Sequence, residues 1–131
     1  MKLLLDTHIA IWAIVLDDRL TAAARAMIAD QSNSLFVSAA SIWEIAIKNG
    51  SPKGNEDDML VSSKEAIDLF GQAGFQLLSI TSAHASAVGD LPKTHKDPFD
   101  RLIVAQGITE PLRLVTHDKV VASYSASFLL V

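Results

Sequence analysis

The chain has 131 residues, the size of one globular domain, and half of its residues are hydrophobic. This composition excludes a disordered chain, and we predict a single domain over residues 1–131. Eleven Lys and Arg face 15 Asp and Glu, and the net charge of −4 excludes a protein that coats nucleic acid through overall positive charge. Cysteine is absent, which excludes disulfides, thiolate metal sites and a cysteine nucleophile.

The hydrophobic segments are too short for export or membrane insertion. The apolar run at residues 3–5 ends at Asp6, before it reaches the length of a signal peptide. The longest nearly uncharged stretch, residues 9–16, is far below the roughly 20 residues that a membrane helix needs. We therefore expect a soluble, cytoplasmic protein without a membrane partner.

The first half of the chain predicts two strands, each followed by helix. Residues 3–5 are typical of a strand buried on both faces, and a helical apolar period begins at Thr7. Thr21 is the predicted N-cap of a second helix that ends near residue 31. A second strand is predicted at residues 35–37, after which Ser38 or Ser41 starts a helix that ends at residues 49–50.

The second half begins with the one long loop-like segment, residues 51–63, which is rich in Pro, Gly, Asn, Ser and acidic residues. Asp97 is a predicted N-cap with Pro98 at the first helical position. The remaining predicted elements are a helix over 64–72 ended by glycines, a strand over 75–80, a helix over 82–88 capped by Thr81, a turn over 89–92, and strands over 112–115 and 127–131.

Strands separated by helices imply crossover connections and a parallel sheet. We predict an α/β fold, a three-layer α/β/α sandwich around a mostly parallel central sheet of four to five strands. Ligands of such sheets bind beyond the carboxyl ends of the strands, so the residues that follow each strand are the ones to consider.

Acidic residues recur at this edge of the predicted sheet. Asp6 follows the first strand, and Asp118 lies just beyond the fourth. Asp97 and Asp100 open the helix that leads into the fourth strand, and Glu44 lies about two turns into the helix after the second. Carboxylates gathered in one crevice repel each other unless a proton or a cation relieves the repulsion. Oxygen ligands select Mg²⁺ or Mn²⁺, which predicts metal-assisted hydrolysis of a phosphodiester.

Each acid also has a structural interpretation when it is taken alone. Asp6 is a possible N-cap of the first helix. Ser41 and Glu44 fit a capping box, and Glu44 with Lys48 fits a surface ion pair at i,i+4. These alternatives stay open for single residues, whereas capping does not explain why acids recur at one edge of the sheet.

The later acids have similar alternatives. Asp97 is a helix cap, and Asp100 at the third helical position favours the helix dipole. Asp118 is a turn residue on this interpretation.

Histidine and tryptophan offer no regular ligand pattern. The four histidines are spaced too irregularly for a metal motif, so we expect surface or loop positions and assign none as a ligand: His8, His84, His95 and His117. Trp12 and Trp43 lie in apolar helical periods and are expected in the core, although Trp12 also suits a surface that faces a partner.

Basic residues lie close in sequence to the predicted site. They either form a solvated face or contact RNA phosphates, and they are Lys48, Lys93, Lys96 and Arg101, with His95 among them.

Four segments in this order resemble the PIN-domain ribonucleases, specifically the VapC-type toxins of bacterial toxin–antitoxin modules. They are LLLDTH at residues 3–8, VSAASIWEI at 37–45, DPFDRLIVAQ at 97–106 and VTHD at 115–118. The resemblance spans essentially the whole chain and implies one PIN domain with a flavodoxin-like sandwich. It also implies an endoribonuclease that cleaves single-stranded RNA with Mg²⁺ or Mn²⁺.

The resemblance carries over onto particular residues of this chain. The acidic quartet is Asp6, Glu44, Asp100 and Asp118, and Asp97 nearby leaves the third ligand open between Asp97 and Asp100. Thr116 matches a hydroxyl residue often found two positions before the last acid, and Thr7 is a further supporting residue. Lys48, Lys96 and Arg101 are the candidate RNA contacts. Family members are usually homodimers, and a VapB-like antitoxin wraps their apolar helices and often sends a basic side chain into the acidic site.

Three other functions remain as alternatives at this point. A catalytically inactive PIN-like binding module would share the fold without the chemistry. A haloacid-dehalogenase-type phosphatase needs a second Asp two positions after Asp6, where His8 stands. A response-receiver domain needs an acid pair after the first strand and an Asp after the third, where Thr81 and Ser82 stand.

Overall fold

A computed structural model of the chain describes residues 1–49 and 59–131. Within them, five strands form one sheet in the order β3-β2-β1-β4-β5, and every neighbouring pair is parallel. The strands are β1 (Lys2–Leu5), β2 (Ser34–Ser38), β3 (Gln76–Leu78), β4 (Arg113–Thr116) and β5 (Leu129–Leu130). The helices are α1 (Thr7–Val15), α2 (Ala22–Ala29), α3 (Ala39–Asn49), α4 (Ser63–Gln72), α5 (Ser82–Ala87), α6 (Pro98–Thr109) and α7 (Lys119–Ala122), with a 3₁₀ turn at Val88–Asp90. The predicted α/β fold with a parallel sheet is confirmed.

The central strand β1 is covered on both faces. Leu3 and Leu5 belong to one buried cluster and Leu4 to another, because successive side chains of a strand point to opposite faces. The first cluster includes Phe70 of α4, and the second includes Ile103 of α6. Burial on both faces explains why the strand has no alternating polar residues.

The predicted helix starts are largely observed. The Thr21 side chain accepts a hydrogen bond from the Ala24 N–H, as an N-cap does. The helix α3 begins directly after β2, where Ser38 Oγ accepts from the Ala40 N–H at 2.9 Å. Ser38 is therefore the helix start, and Ser41 lies inside the helix.

Several boundaries differ from the prediction. The edge strands β3 and β5 are shorter than predicted because each pairs with one neighbour only. The short helix α7 was not predicted, since four residues are too few to show a period. The helix α4 continues through Gly71, and the chain turns at Gly74, whose φ of +81° favours glycine.

The predicted loop at residues 51–63 is covered only in part. Gly50 and residues 51–58 lie outside the described residues, and α4 begins at Ser63, where Ser62 and Glu65 form a capping box. None of the helices in residues 1–49 and 59–131 is long and apolar enough to cross a bilayer.

Candidate metal centre and active site

Asp6 and Thr116 lie at the carboxyl ends of the two adjacent strands β1 and β4. Asp6 is buried and stands at the N-cap position of α1, as the alternative interpretation predicted, but its side chain makes no capping hydrogen bond to this helix. Thr116 Oγ1 instead donates to Asp6 Oδ2 at 2.6 Å and accepts from the Asp118 N–H at 3.0 Å. One hydroxyl therefore connects two of the predicted site acids.

Glu44 lies on the neighbouring helix α3, and its carboxylate is buried. Its side chain is 3% exposed, and Oε2 lies 2.5 Å from Lys48 Nζ. The pair is the predicted i,i+4 pair, but the carboxylate is buried, so the interpretation as a surface pair is wrong. Oε1 is also buried and has no hydrogen-bond partner in residues 1–49 and 59–131. A buried carboxylate oxygen without a partner is costly, which makes it a candidate ligand atom.

Ser41 does not form the capping box that its spacing with Glu44 suggested. Its Oγ lies 2.8 Å from Thr7 Oγ1 in a buried hydrogen bond. Thr7 begins α1, directly after Asp6, so this bond ties the start of α1 to α3, the helix that carries Glu44.

Asp97 and Asp118 are both helix caps, but they differ in what surrounds them. Asp97 Oδ1 accepts from the Phe99 N–H at 2.8 Å and the Asp100 N–H at 3.3 Å, which confirms the predicted cap of α6. Asp118 Oδ1 accepts from two N–H groups of α7, while Oδ2 lies 3.4 Å from His95 Nε2. Asp118 therefore caps α7 with Oδ1 and faces the site with Oδ2.

The pKa of Asp100 responds to burial and to the acids around it. Burial first, and then the neighbouring carboxylates, raise the pKa of Asp100 from 3.8 to about 8; these neighbours are Asp6, Asp97, Glu44 and Asp118. Burial also raises the pKa of Asp6, partly offset by the hydrogen bond from Thr116. Four of the predicted acids thus act on the fifth, Asp100, which lies near all of them at this edge of the sheet. A cation relieves such repulsion.

The sequence placed His95 near the site but did not indicate its contact with two of the acids. Its Nε2 lies 2.9 Å from Asp100 Oδ2, and among the described residues His95, Asp100 and Asp118 place ligand-type atoms within 4.8 Å of one another. His95 lies in the loop before α6, as expected, but its ring faces two of the acids. The one signal in the sequence is that His95 stands two residues before the N-cap of α6. A loop has no periodicity from which the orientation of the His95 side chain could be predicted.

The other histidines divide between core and surface. His84 is fully buried, with Nδ1 accepting from the Thr81 N–H and Nε2 2.5 Å from Glu110, so its expected surface position is wrong. His8 is partly buried, and His117 is exposed as expected. The rings of these last two lie beside Trp12.

Trp12 is buried as expected, but Trp43 is 52% exposed, so its assignment to the core is wrong. The Trp43 ring packs edge-on against Phe99, with centroids 4.7 Å apart. Lys48 Nζ, which pairs with Glu44, lies 6.0 Å from the centroid of the Phe99 ring, so the two aromatic rings lie at the rim of the acidic cluster.

The predicted basic residues form one side of the site. A cavity of about 330 Å³ is lined by Lys93, His95, Lys96 and Arg101, and His95 joins it to the acids. The Arg101 guanidinium donates to three backbone carbonyls, those of Val88, Pro92 and His95. Arg101 therefore holds the segment before α6 in place, whereas Lys93 and Lys96 are exposed.

The fold and the site define an α/β protein with an acidic cluster at the carboxyl edge of a parallel sheet. The family model for the PIN domain matches residues 3–126. The chain belongs to the PIN domain family, and it is therefore neither a dehalogenase-type phosphatase nor a response receiver.

Three solved structures are similar to this chain in fold. VapBC2 from Rickettsia felis, crystallised with a DNA fragment from its promoter, has a TM-score of 0.66 and 17% identity, covering 100% of this chain and 98% of that chain. DNA-bound VapBC from Salmonella typhimurium has a TM-score of 0.67 and 14% identity, covering 100% and 97%. FitAcB from Neisseria gonorrhoeae has a TM-score of 0.63 and 15% identity, covering 98% and 96%. No curated protein sequence matches this chain significantly.

Proposed function

We propose that this protein is a Mg²⁺- or Mn²⁺-dependent endoribonuclease that cleaves single-stranded regions of RNA and acts as the toxin of a toxin–antitoxin pair. One observation carries the proposal. In a PIN domain, Glu44 Oε1 is buried with no hydrogen-bond partner among the described residues, near Asp100, whose pKa is raised to about 8 by burial and by the neighbouring carboxylates. Such a cluster is costly without a cation.

The residues that would hold the cation are Asp6, Glu44, Asp100 and Asp118. For the third ligand, Asp100 is favoured over Asp97, because an oxygen of Asp100, and none of Asp97, groups with Asp118 among the described residues. When bound, a divalent cation activates a water and stabilises negative charge on the attacking and leaving oxygens of the phosphodiester.

The supporting residues hold the acids in place. Thr116 orients Asp6 through the hydrogen bond to Oδ2, and the Thr7 hydroxyl fixes the start of α1 against Ser41. Rigid support of this kind matters because a site whose ligands are held in advance does not need to reorganise when substrate binds.

The basic and aromatic rim suits a single-stranded nucleic acid. Lys93 and Lys96 are exposed beside the acids and can neutralise phosphates, whereas Lys48 and Arg101 are already engaged by protein groups. The exposed Trp43 ring offers a face on which an unpaired base can stack. This arrangement favours RNA with unstacked bases over a duplex.

The test is cleavage of an end-labelled single-stranded RNA by purified protein. We expect cleavage with Mg²⁺ or Mn²⁺, none with EDTA, and none for Asp6→Asn or Asp118→Asn. Asp68→Asn is the matched control, since it makes the same chemical change at an exposed position of α4. Undiminished cleavage in EDTA would exclude the metal mechanism. Absence of cleavage under all conditions would favour the inactive binding module instead.

The proposed partners are a VapB-like antitoxin and a second copy of this chain. A cavity of about 160 Å³ between α1 and α2 is lined by five apolar residues and Arg25, and one of the apolar residues, Leu16, is 80% exposed. Exposed apolar surface of this kind suits an apolar segment of a partner. We expect Leu16→Glu to abolish copurification with the product of an adjacent antitoxin gene while RNA cleavage continues. Light scattering of the purified chain tests for the homodimer.

A further inference from the structure

His95 lies between two site acids that come from different parts of the fold. Its Nε2 is 2.9 Å from Oδ2 of Asp100 on α6 and 3.4 Å from Oδ2 of Asp118, the cap of α7. Nε2 is buried, lies close to both oxygens and forms a full hydrogen bond with no group among the described residues. A proton that points between two acceptors has this geometry.

The histidine is held on three sides. Its N–H donates to the Tyr124 hydroxyl at 2.9 Å, and its carbonyl accepts from the Arg101 guanidinium. The ring nitrogen Nδ1 accepts from the Asp97 N–H at 3.2 Å. The ring therefore has a fixed direction, with Nε2 towards the carboxylates.

The hydrogen bond at Nδ1 decides which ring nitrogen carries the proton. A nitrogen that accepts a backbone N–H needs its lone pair, so the neutral ring has its proton on Nε2. A nitrogen that carries a proton cannot bind a cation. His95 thus presents a donor to the carboxylates and not a ligand atom, although its distance to the acids alone would permit either.

We propose that His95 is a positioning residue whose Nε2–H bridges Asp100 and Asp118 and holds the two carboxylates together for a divalent cation. The donor offsets the repulsion between the two acids and ties the start of α6 to the start of α7. For the identity of the cation, this inference rests on the proposed function. Comparable groups that orient metal ligands typically change metal affinity by about 10–100-fold when they are removed.

Two substitutions separate the two ring nitrogens. His95→Gln places an amide N–H near the position of Nε2 and removes the acceptor at Nδ1. His95→Asn keeps an acceptor near Nδ1 and removes the donor at Nε2. A role confined to the fold through the Asp97 N–H would favour the Asn variant, whereas the bridging role favours the Gln variant.

The first experiment is calorimetric titration of parent, His95→Gln and His95→Asn with MnCl₂, with metal-free thermal unfolding to confirm that each chain is folded. We expect Mn²⁺ to bind the Asn variant about 10–100-fold more weakly than the parent, and the Gln variant within about threefold of it. Equal affinity in the two variants, high or low, would overturn the inference.

The second experiment reads the ring proton by ¹⁵N-labelled NMR of the histidines, without metal and with saturating Mg²⁺. We expect His95 Nε2 to stay protonated in both states. Loss of its proton on addition of Mg²⁺ would make His95 a ligand and overturn the inference. Neither readout uses RNA, so a chain that binds Mn²⁺ in this way but cleaves no RNA would overturn the proposed function alone. Absence of Mn²⁺ binding by the parent would overturn both.

Discussion

The strongest energetic prediction concerns Asp100, a residue that destabilises the metal-free fold. Burial and its acidic neighbours raise the pKa of Asp100 from 3.8 to about 8. The folded chain therefore binds one more proton than the unfolded chain between these two values, and the free energy of unfolding falls as the pH rises through this window. Asp100→Asn removes the titrating group and with it this loss.

The magnitude follows from the width of the window. Between pH 3.8 and pH 7 the decrease in the free energy of unfolding reaches about 4 kcal/mol, at 1.36 kcal/mol for each pH unit. The side chain is 19% exposed, and solvent screening and relaxation reduce this ceiling to about 1–2 kcal/mol. We expect the variant to be more stable than the parent by this amount at pH 7, and by almost nothing near pH 4.

The assay is urea unfolding of EDTA-treated parent and Asp100→Asn between pH 4 and pH 8, with Asp68→Asn as the exposed control. Added Mn²⁺ should then raise the stability of the parent and not that of the variant, because only a chain that binds the ion gains stability from it. Two results would refute the proposed repulsion between Asp100 and its acidic neighbours. One is a variant less stable than the parent at pH 7, and the other is a stability difference between variant and parent that does not change with pH.

Two further substitutions test the support and the rim of the site. Thr116→Val should cost about 1–3 kcal/mol in thermal unfolding and weaken Mn²⁺ binding, since it removes the donor to Asp6 and the acceptor for the Asp118 N–H; unchanged Mn²⁺ affinity would contradict this role. Trp43→Ala should leave the melting temperature nearly unchanged because the ring is half exposed. The same variant should weaken binding of single-stranded RNA by about 1–3 kcal/mol in EDTA, and equal binding would exclude base stacking on this residue.

The sheet and the helix starts were predictable because they depend on local signals. The run Leu3–Leu5 lacks polar alternation since both of its faces are buried, and this pattern is legible without a structure. Thr21 and Asp97 cap helices as their residue types and positions indicate. The edge strands were overestimated because their ends depend on a single pairing partner.

The acids of the site could be predicted from the sequence, but their burial and their contacts could not. Strand ends bring Asp6 and Asp118 to one edge, which follows from the parallel sheet alone. The burial of Glu44 could not be read, because a buried and an exposed i,i+4 pair with Lys48 have the same sequence. His95 depends on tertiary contacts to Tyr124 and Arg101, which lie far from any local pattern.

The most direct test of the central claim is a metal add-back experiment on single-stranded RNA. Parent protein stripped with EDTA is mixed with labelled RNA, and cleavage is followed after MnCl₂ or MgCl₂ is added in excess of the chelator. We expect no cleavage before the addition and internal cleavage after it, with Asp6→Asn inactive throughout. Cleavage that begins before the metal is added, or that Asp6→Asn performs as well as the parent, would contradict an acidic metal centre as the source of the activity.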